Sequence, residues 1–61
     1  MKVVTILNYE SGEVLIHYYD ENEIDNNYDG DIQEYLYTKD WYNDSTCSYM
    51  CSEHLIINTV L

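Results

Sequence analysis

Val3-Val4-Thr5-Ile6-Leu7-Asn8-Tyr9 and Glu13-Val14-Leu15-Ile16-His17-Tyr18-Tyr19, joined by Glu10-Ser11-Gly12, decide the fold. Both arms are rich in β-branched and aromatic residues and contain neither glycine nor proline, so each reads as a strand. The short polar connector makes the pair an antiparallel hairpin. Gly12 suits the left-handed position that follows a type I turn, where a Cβ is costly. With Glu10-Ser11-Gly12 as the whole loop, the register sets Leu7 beside Leu15 and Ile6 beside Ile16. Alternation then places Val4, Ile6, Val14, Ile16 and Tyr18 on one face, and Val3, Leu7, Tyr9, Leu15 and Tyr19 on the other. Both faces are apolar. One covering helix buries only one of them, which leaves the second for the C-terminal segment, a second copy or a target.

Outward from the hairpin, residues 20–44 hold nine carboxylates (Asp20, Glu21, Glu23, Asp25, Asp29, Asp31, Glu34, Asp40, Asp44) against the single cation Lys39. Tyr28, Tyr35, Tyr37, Trp41 and Tyr42 are threaded among them. The polar run 20–30, with Asn26-Asn27 and Asp29-Gly30, reads as a loop. Asp31-Ile32-Gln33-Glu34 is a capping-box pattern, in which a short acidic side chain closes free N–H groups and a Glu three residues on returns the bond. It predicts a helix over 32–42. Ile32, Tyr35, Leu36 and the stem of Lys39 fall on one stripe of that helix at core-facing spacing. Gln33, Glu34, Tyr37, Asp40 and Trp41 fall on the other side, with Tyr42 also expected outside the stripe.

Asn43-Asp44-Ser45-Thr46 ends the helix with turn formers, and a short strand is expected over 47–51. A turn at Ser52-Glu53 then leads to His54-Leu55-Ile56-Ile57-Asn58-Thr59-Val60-Leu61, which reads as a last, well-covered strand. The fold class is therefore α+β: an N-terminal hairpin, one helix and C-terminal strand or strands completing a small antiparallel sheet, ββαβ or ββαββ. Residues 1–61 form a single domain without repeat or linker.

Sixty-one residues with a formal net charge of −10 bound the function. A domain this small buries only about 60% of the surface its unfolded chain exposes, so its stability is marginal. The acidic field disfavours direct contact with nucleic acid or anionic membrane and draws the chain toward a basic protein surface. No apolar run approaches a membrane span, and Met1-Lys2 leads directly into a strand, so a cytoplasmic protein is expected. In that compartment Cys47 and Cys51 stay reduced.

The residues offer four chemistries, none with a complete site. Cys47, Cys51 and His54, with His17 elsewhere, are formally compatible with zinc, but the paired knuckle is absent and a fourth ligand is missing. A Cys47–Cys51 disulfide would have to span about 13 Å in an extended strand. The carboxylates of residues 20–31 lack the twelve-residue calcium loop with its central glycine and final Glu. No nucleophile motif surrounds either cysteine, and no glycine-rich phosphate loop exists. The expectation is a non-enzyme without metal or cofactor.

Leu7-Asn8-Tyr9-Glu10-Ser11-Gly12-Glu13-Val14, and Cys47-Ser48-Tyr49-Met50 followed by Glu53 and an aliphatic run, resemble short proteins of Bacteroides-type bacteria and their phages. That resemblance implies no activity. In size, acidity, strand and helix content and the apolar ending Val60-Leu61, the chain also resembles small acidic phage inhibitors that imitate nucleic acid. These are the uracil-DNA glycosylase inhibitors of small Bacillus phages and several anti-CRISPR proteins. The glycosylase inhibitors run strand, helix, strand, strand, so no site residue is carried over.

The resemblance implies an inhibitor that occupies the nucleic-acid-binding surface of a host enzyme, with carboxylates at phosphate positions and aromatics as apolar anchors. The residues expected to bind are Asp31, Glu34, Tyr37, Asp40 and Trp41 on the helix, extended by Asp20, Glu21, Glu23, Asp25 and Asp29. The alternatives are a structural or adaptor protein completed by self-association or a partner through its apolar sheet face, a small metal-binding domain, and an acidic protein with no specific partner.

Overall fold

The computed structural model describes residues 1–61. Strand β1 (Lys2–Asn8) pairs antiparallel with β2 (Val14–Tyr19), as the hairpin pattern requires. Two helices follow, α1 (Glu21–Tyr28) and α2 (Ile32–Tyr37), and then β3 (Cys47–Ser52) pairs antiparallel with the other side of β1. The sheet order is β2-β1-β3. Reaching β3 from β2 means crossing over β1, and the helix pair is the crossover. It therefore covers one sheet face, giving the small α+β fold.

The hairpin register differs by one residue from the expected one. Ile6 lies opposite Leu15, Val4 opposite His17 and Lys2 opposite Tyr19. The cause is Asn8, whose Oδ1 accepts from the N–H groups of Glu10 and Ser11 at 3.0 and 3.1 Å. This side-chain turn draws Tyr9 into the loop, and the backbone closes by Asn8 N–H to Glu13 O and Gly12 N–H to Asn8 O. Gly12 takes the expected left-handed conformation, φ +75°. A one-residue slip moves every β2 side chain to the opposite face. Val4 and Ile6 therefore share their face with Leu15, His17 and Tyr19, not with Val14, Ile16 and Tyr18.

Val4, Ile6, Tyr19, Ile24, Tyr35, Leu36, Tyr42 and Cys47 form the core between sheet and helices. Ile32, Tyr28, Leu15 and Tyr49 pack at its margin. The predicted stripe is thus correct in direction: Leu36 is fully buried, Tyr35 nearly so, and Lys39 Nζ lies 4.6 Å from the Tyr35 ring centroid. Such a cation on an aromatic face is attracted by the ring quadrupole.

Three expectations are corrected. The 20–30 run is not a loop but mostly helix α1, with Asp20 as N-cap accepting from Asn22 N–H at 2.9 Å. Glu21 and Glu23 occupy its first turn, where the helix dipole favours anions. Ile24, alone among its side chains, is buried. The second helix stops at Tyr37 rather than Tyr42, because Thr38 turns its Oγ1 back to Tyr35 O at 2.7 Å and the Thr38 and Lys39 N–H groups bond three residues back. Such short bonds tighten the chain out of the α-helix. Residues 54–61 are not a strand: they join no ladder, and Ile56, Ile57, Val60 and Leu61 are exposed.

Helix α1 ends on Asp29 at φ +53°, with Gly30 at +76° and its N–H bonded to Ile24 O. A left-handed conformation costs a residue with a Cβ roughly 1–2 kcal/mol, and a carboxylate at a helix C-terminus opposes the dipole. Asp29→Gly removes both penalties but adds freedom to the unfolded chain. A net gain of about 1 kcal/mol is expected, or roughly 4–8 °C in Tm for a domain of this size. Thermal denaturation followed by circular dichroism measures it.

Candidate functional site

All twelve carboxylates are exposed. Seven of them, Asp20, Glu21, Glu23, Asp25, Asp29, Asp31 and Glu34, lie on the helix pair and its caps and connection. The two lysines do little to offset them. Lys2 is held by Glu21 at 3.1 Å and Glu53 at 3.5 Å, whose charges raise its pKa, the Glu21 hydrogen bond foremost. Lys39 is committed to the Tyr35 ring. The helix layer is therefore a nearly unbroken acidic surface.

Within that surface the expected contact residues do not form one patch. Asp31 is the N-cap of α2, its Oδ1 accepting from Gln33 N–H at 3.0 Å and Glu34 N–H at 3.4 Å. Its carboxylate faces solvent while serving the helix. Glu34 and Tyr37 are exposed on α2, but Asp40 and Trp41 lie beyond its end. Tyr37 accepts from Gln33 Nε2 at 2.7 Å and leans toward the Tyr42 ring, 6.2 Å between centroids. Tyr42 in turn meets Tyr49 of β3 edge-on. Trp41 instead sits on His17 of β2, 5.3 Å between centroids. Since β2 and β3 are opposite edges of the sheet, the two exposed aromatics belong to separate sites.

The early helix end is what separates them. After Tyr37 the chain turns, and Tyr42 swings into the core at 8% exposure while Trp41 is left at 37%. The expectation that Tyr42 lies outside the core is corrected. Burial pushes the Tyr42 hydroxyl up to about 12, with nearby Asp44 adding to the effect. Burial raises Tyr49 and Tyr19 as well. Tyr42 donates to Asp44 Oδ1 at 3.3 Å, so this corner is a tyrosine cluster closed by a carboxylate.

At the β2 edge, Leu15, Ile16, His17 and Trp41 line a shallow groove of about 230 Å³. His17 Nε2 shares a 2.9 Å hydrogen bond with Tyr35 OH, and the two rings stack 5.8 Å apart. Sequence reasoning weighed His17 only as a distant zinc ligand and did not place it in this site. The Asn8 side chain, by setting the register, was the one signal that would have put it on the core face. Its pKa is lowered, first by burial and then by Lys39, with Glu23 opposing.

A lowered pKa means the unfolded chain binds the proton more readily, so stability rises with pH across the interval between the folded value and 6.5, the ordinary value. As pH falls below about 6.5, a progressive loss of stability is expected from His17, levelling once the folded imidazole also protonates. NMR titration of the His17 ring, set beside Tm from pH 5 to 7.5, checks it.

Cys47 and Cys51 both lie on β3, four positions apart along an extended backbone, the first buried and the second exposed. The neighbour of Cys47 Sγ is Thr46 Oγ1 at 3.7 Å, and His17 is engaged with Tyr35. No three His, Cys, Asp or Glu side chains converge as a metal ligand set. No helix is long and apolar enough to cross a membrane. No protein-family model matches this chain, and neither a curated protein nor a solved structure is detectably similar to it.

Proposed function

We propose that the chain is a non-enzymatic acidic inhibitor whose helix layer occupies a basic, nucleic-acid-binding surface of a host enzyme in the cytoplasm. The observation that carries this reading is the exposure of every carboxylate, with both lysines already engaged. A groove built to bind phosphates presents Lys and Arg at close spacing and gains affinity by neutralising charge. Carboxylates held on short capped helices meet those cations from a folded surface. Asp20, Glu21, Glu23, Asp25, Asp29, Asp31 and Glu34 are the contacts this geometry favours. Trp41 and Tyr37 flank the layer at opposite edges, each able to bury a ring in the complex. The size and acidity shared with phage-type inhibitors, anti-CRISPR proteins among them, suit a counter-defence role.

Capture from a host lysate at low and at high salt tests this. Binding through the acidic layer weakens steeply as ionic strength rises, because the Debye length falls from about 10 Å at 0.1 M to about 3 Å at 1 M. The expected result is a nucleic-acid-binding enzyme retained at 0.1 M, released at 1 M and displaced by competing DNA or RNA. A partner retained equally at both salts, or indifferent to nucleic acid, overturns the reading. The second reading, self-association through the sheet, is favoured by a separate observation and taken up next.

A further inference from the structure

The sheet face turned away from the helices carries Val3, Thr5 and Leu7 of β1, Val14, Ile16 and Tyr18 of β2, and Ser48, Met50 and Ser52 of β3. None of the nine is charged, in a chain with net charge −10. Val3 and Thr5, at 1% and 9% exposure, are already covered within the chain, whereas Leu7, Val14, Ile16, Tyr18 and Met50 are each between 43% and 59% exposed. Antiparallel sheets ordinarily alternate apolar with polar when one face meets water. This one does not. Ile56, Ile57, Val60 and Leu61, which follow the sheet, are more exposed still, at 73% or above.

We infer that this face is covered by a second copy of the chain, and that residues 55–61 of each copy complete the interface. Charge selects the occupant. A basic partner finds no counter-charge on the face, whereas a second copy brings an identical neutral surface and keeps its own acidic helices on the outside, as far from the first set as the fold allows. Area selects the role of the tail. Three strands about 4.8 Å apart and six residues long at about 3.4 Å each give a footprint of roughly 300 Å². A stable interface needs about 800 Å² from each partner. The sheet face by itself falls short, and the exposed aliphatic tail, which continues from β3 along the chain, supplies further apolar surface.

The dimer does not depend on the proposed inhibition, and salt tells the two apart. Two chains of −10 repel, so screening tightens self-association while it loosens docking on a basic surface. Sedimentation equilibrium of the full chain from 1 to 500 µM, at 0.1 M and 1 M NaCl, is the test. A dimer that strengthens at the higher salt is expected. Ile16→Lys, at a position exposed in the single chain, is expected to raise the dimer Kd by more than 100-fold with an unchanged far-UV spectrum. Ile56→Asp combined with Ile57→Asp is expected to raise it by more than tenfold. A wild-type monomer throughout the range at both salts overturns the inference, as does a monomer whose NMR contacts place residues 55–61 over their own sheet face. A dimer indifferent to Ile16→Lys, or one that weakens with salt, equally overturns it.

Discussion

Leu36→Ala is expected to leave most of the protein unfolded at room temperature. Leu36 is fully buried where α2 meets the sheet, in one cluster with Val4, Ile6, Ile24 and Tyr35. Removing a buried leucine to its Cβ costs about 2–5 kcal/mol, through lost transfer energy and the cavity left behind. A hydrophobic core in a domain below about 70 residues rarely supplies more than about 3–5 kcal/mol in total. The two figures overlap, so a single truncation here removes essentially the whole margin. Chemical denaturation of wild type and variant measures it, with the variant's far-UV circular dichroism in buffer as the direct readout. A Leu36→Ala protein that stays folded with a loss under about 1 kcal/mol would show that α2 does not close this core.

The second large effect is on binding rather than folding. Glu23→Lys combined with Glu34→Lys reverses one carboxylate on each helix. Both side chains are exposed, and neither takes part in a salt bridge of the folded chain. Exposed charges contribute little to stability, so Tm is expected to move by no more than a few degrees. Against a basic groove, each reversal replaces an attraction with a repulsion. Loss of close charge pairs at such interfaces costs about 2–5 kcal/mol, and each 1.4 kcal/mol is tenfold, so affinity for the captured enzyme should fall at least about 100-fold. The salt dependence should flatten with it. Calorimetry at two ionic strengths resolves both quantities. An unchanged Kd would remove the helix layer from the mechanism, and a Kd unchanged for this variant but weakened by Ile16→Lys would move the contact to the sheet.

Several features were legible because their cause is local. The β-branched runs around Gly12 gave a hairpin, and Asp31-x-x-Glu34 marked the start of α2, its Asp31 side chain accepting from two N–H groups as the pattern requires. The 3.6-residue spacing of Ile32, Tyr35 and Leu36 pointed that helix at the core. Helix α1 was equally open to reading and was missed. Asp20-Glu21-Asn22-Glu23 repeats the same acidic-cap-and-Glu pattern, and Ile24 with Tyr28 makes an i, i+4 apolar pair. The density of Asn and Asp around them read as loop, yet one buried isoleucine and one half-buried tyrosine were enough to anchor eight residues once a sheet lay beneath them.

The sequence alone determined the hairpin and the start of α2, that Asp31 caps that helix while its neighbouring acids stay in water, and that more apolar surface exists than one helix layer covers. Those properties follow from side-chain chemistry and from neighbours within about four residues. The tertiary structure decided which β2 residues meet the helices: the Asn8 side chain, through two local hydrogen bonds, lengthened the loop by one residue and reversed the parity of the strand, and the helix layer packed on the face this left with Val4 and Ile6. It likewise decided that Trp41 and Tyr37 part to opposite edges, since the turn begun at Thr38 sends Tyr42 between them into the core. The segment 54–61 has the composition of a strand and yet joins no ladder. A helix bonds to itself, whereas a strand exists only where another strand's N–H and C=O groups are in reach, and no local pattern records whether they are.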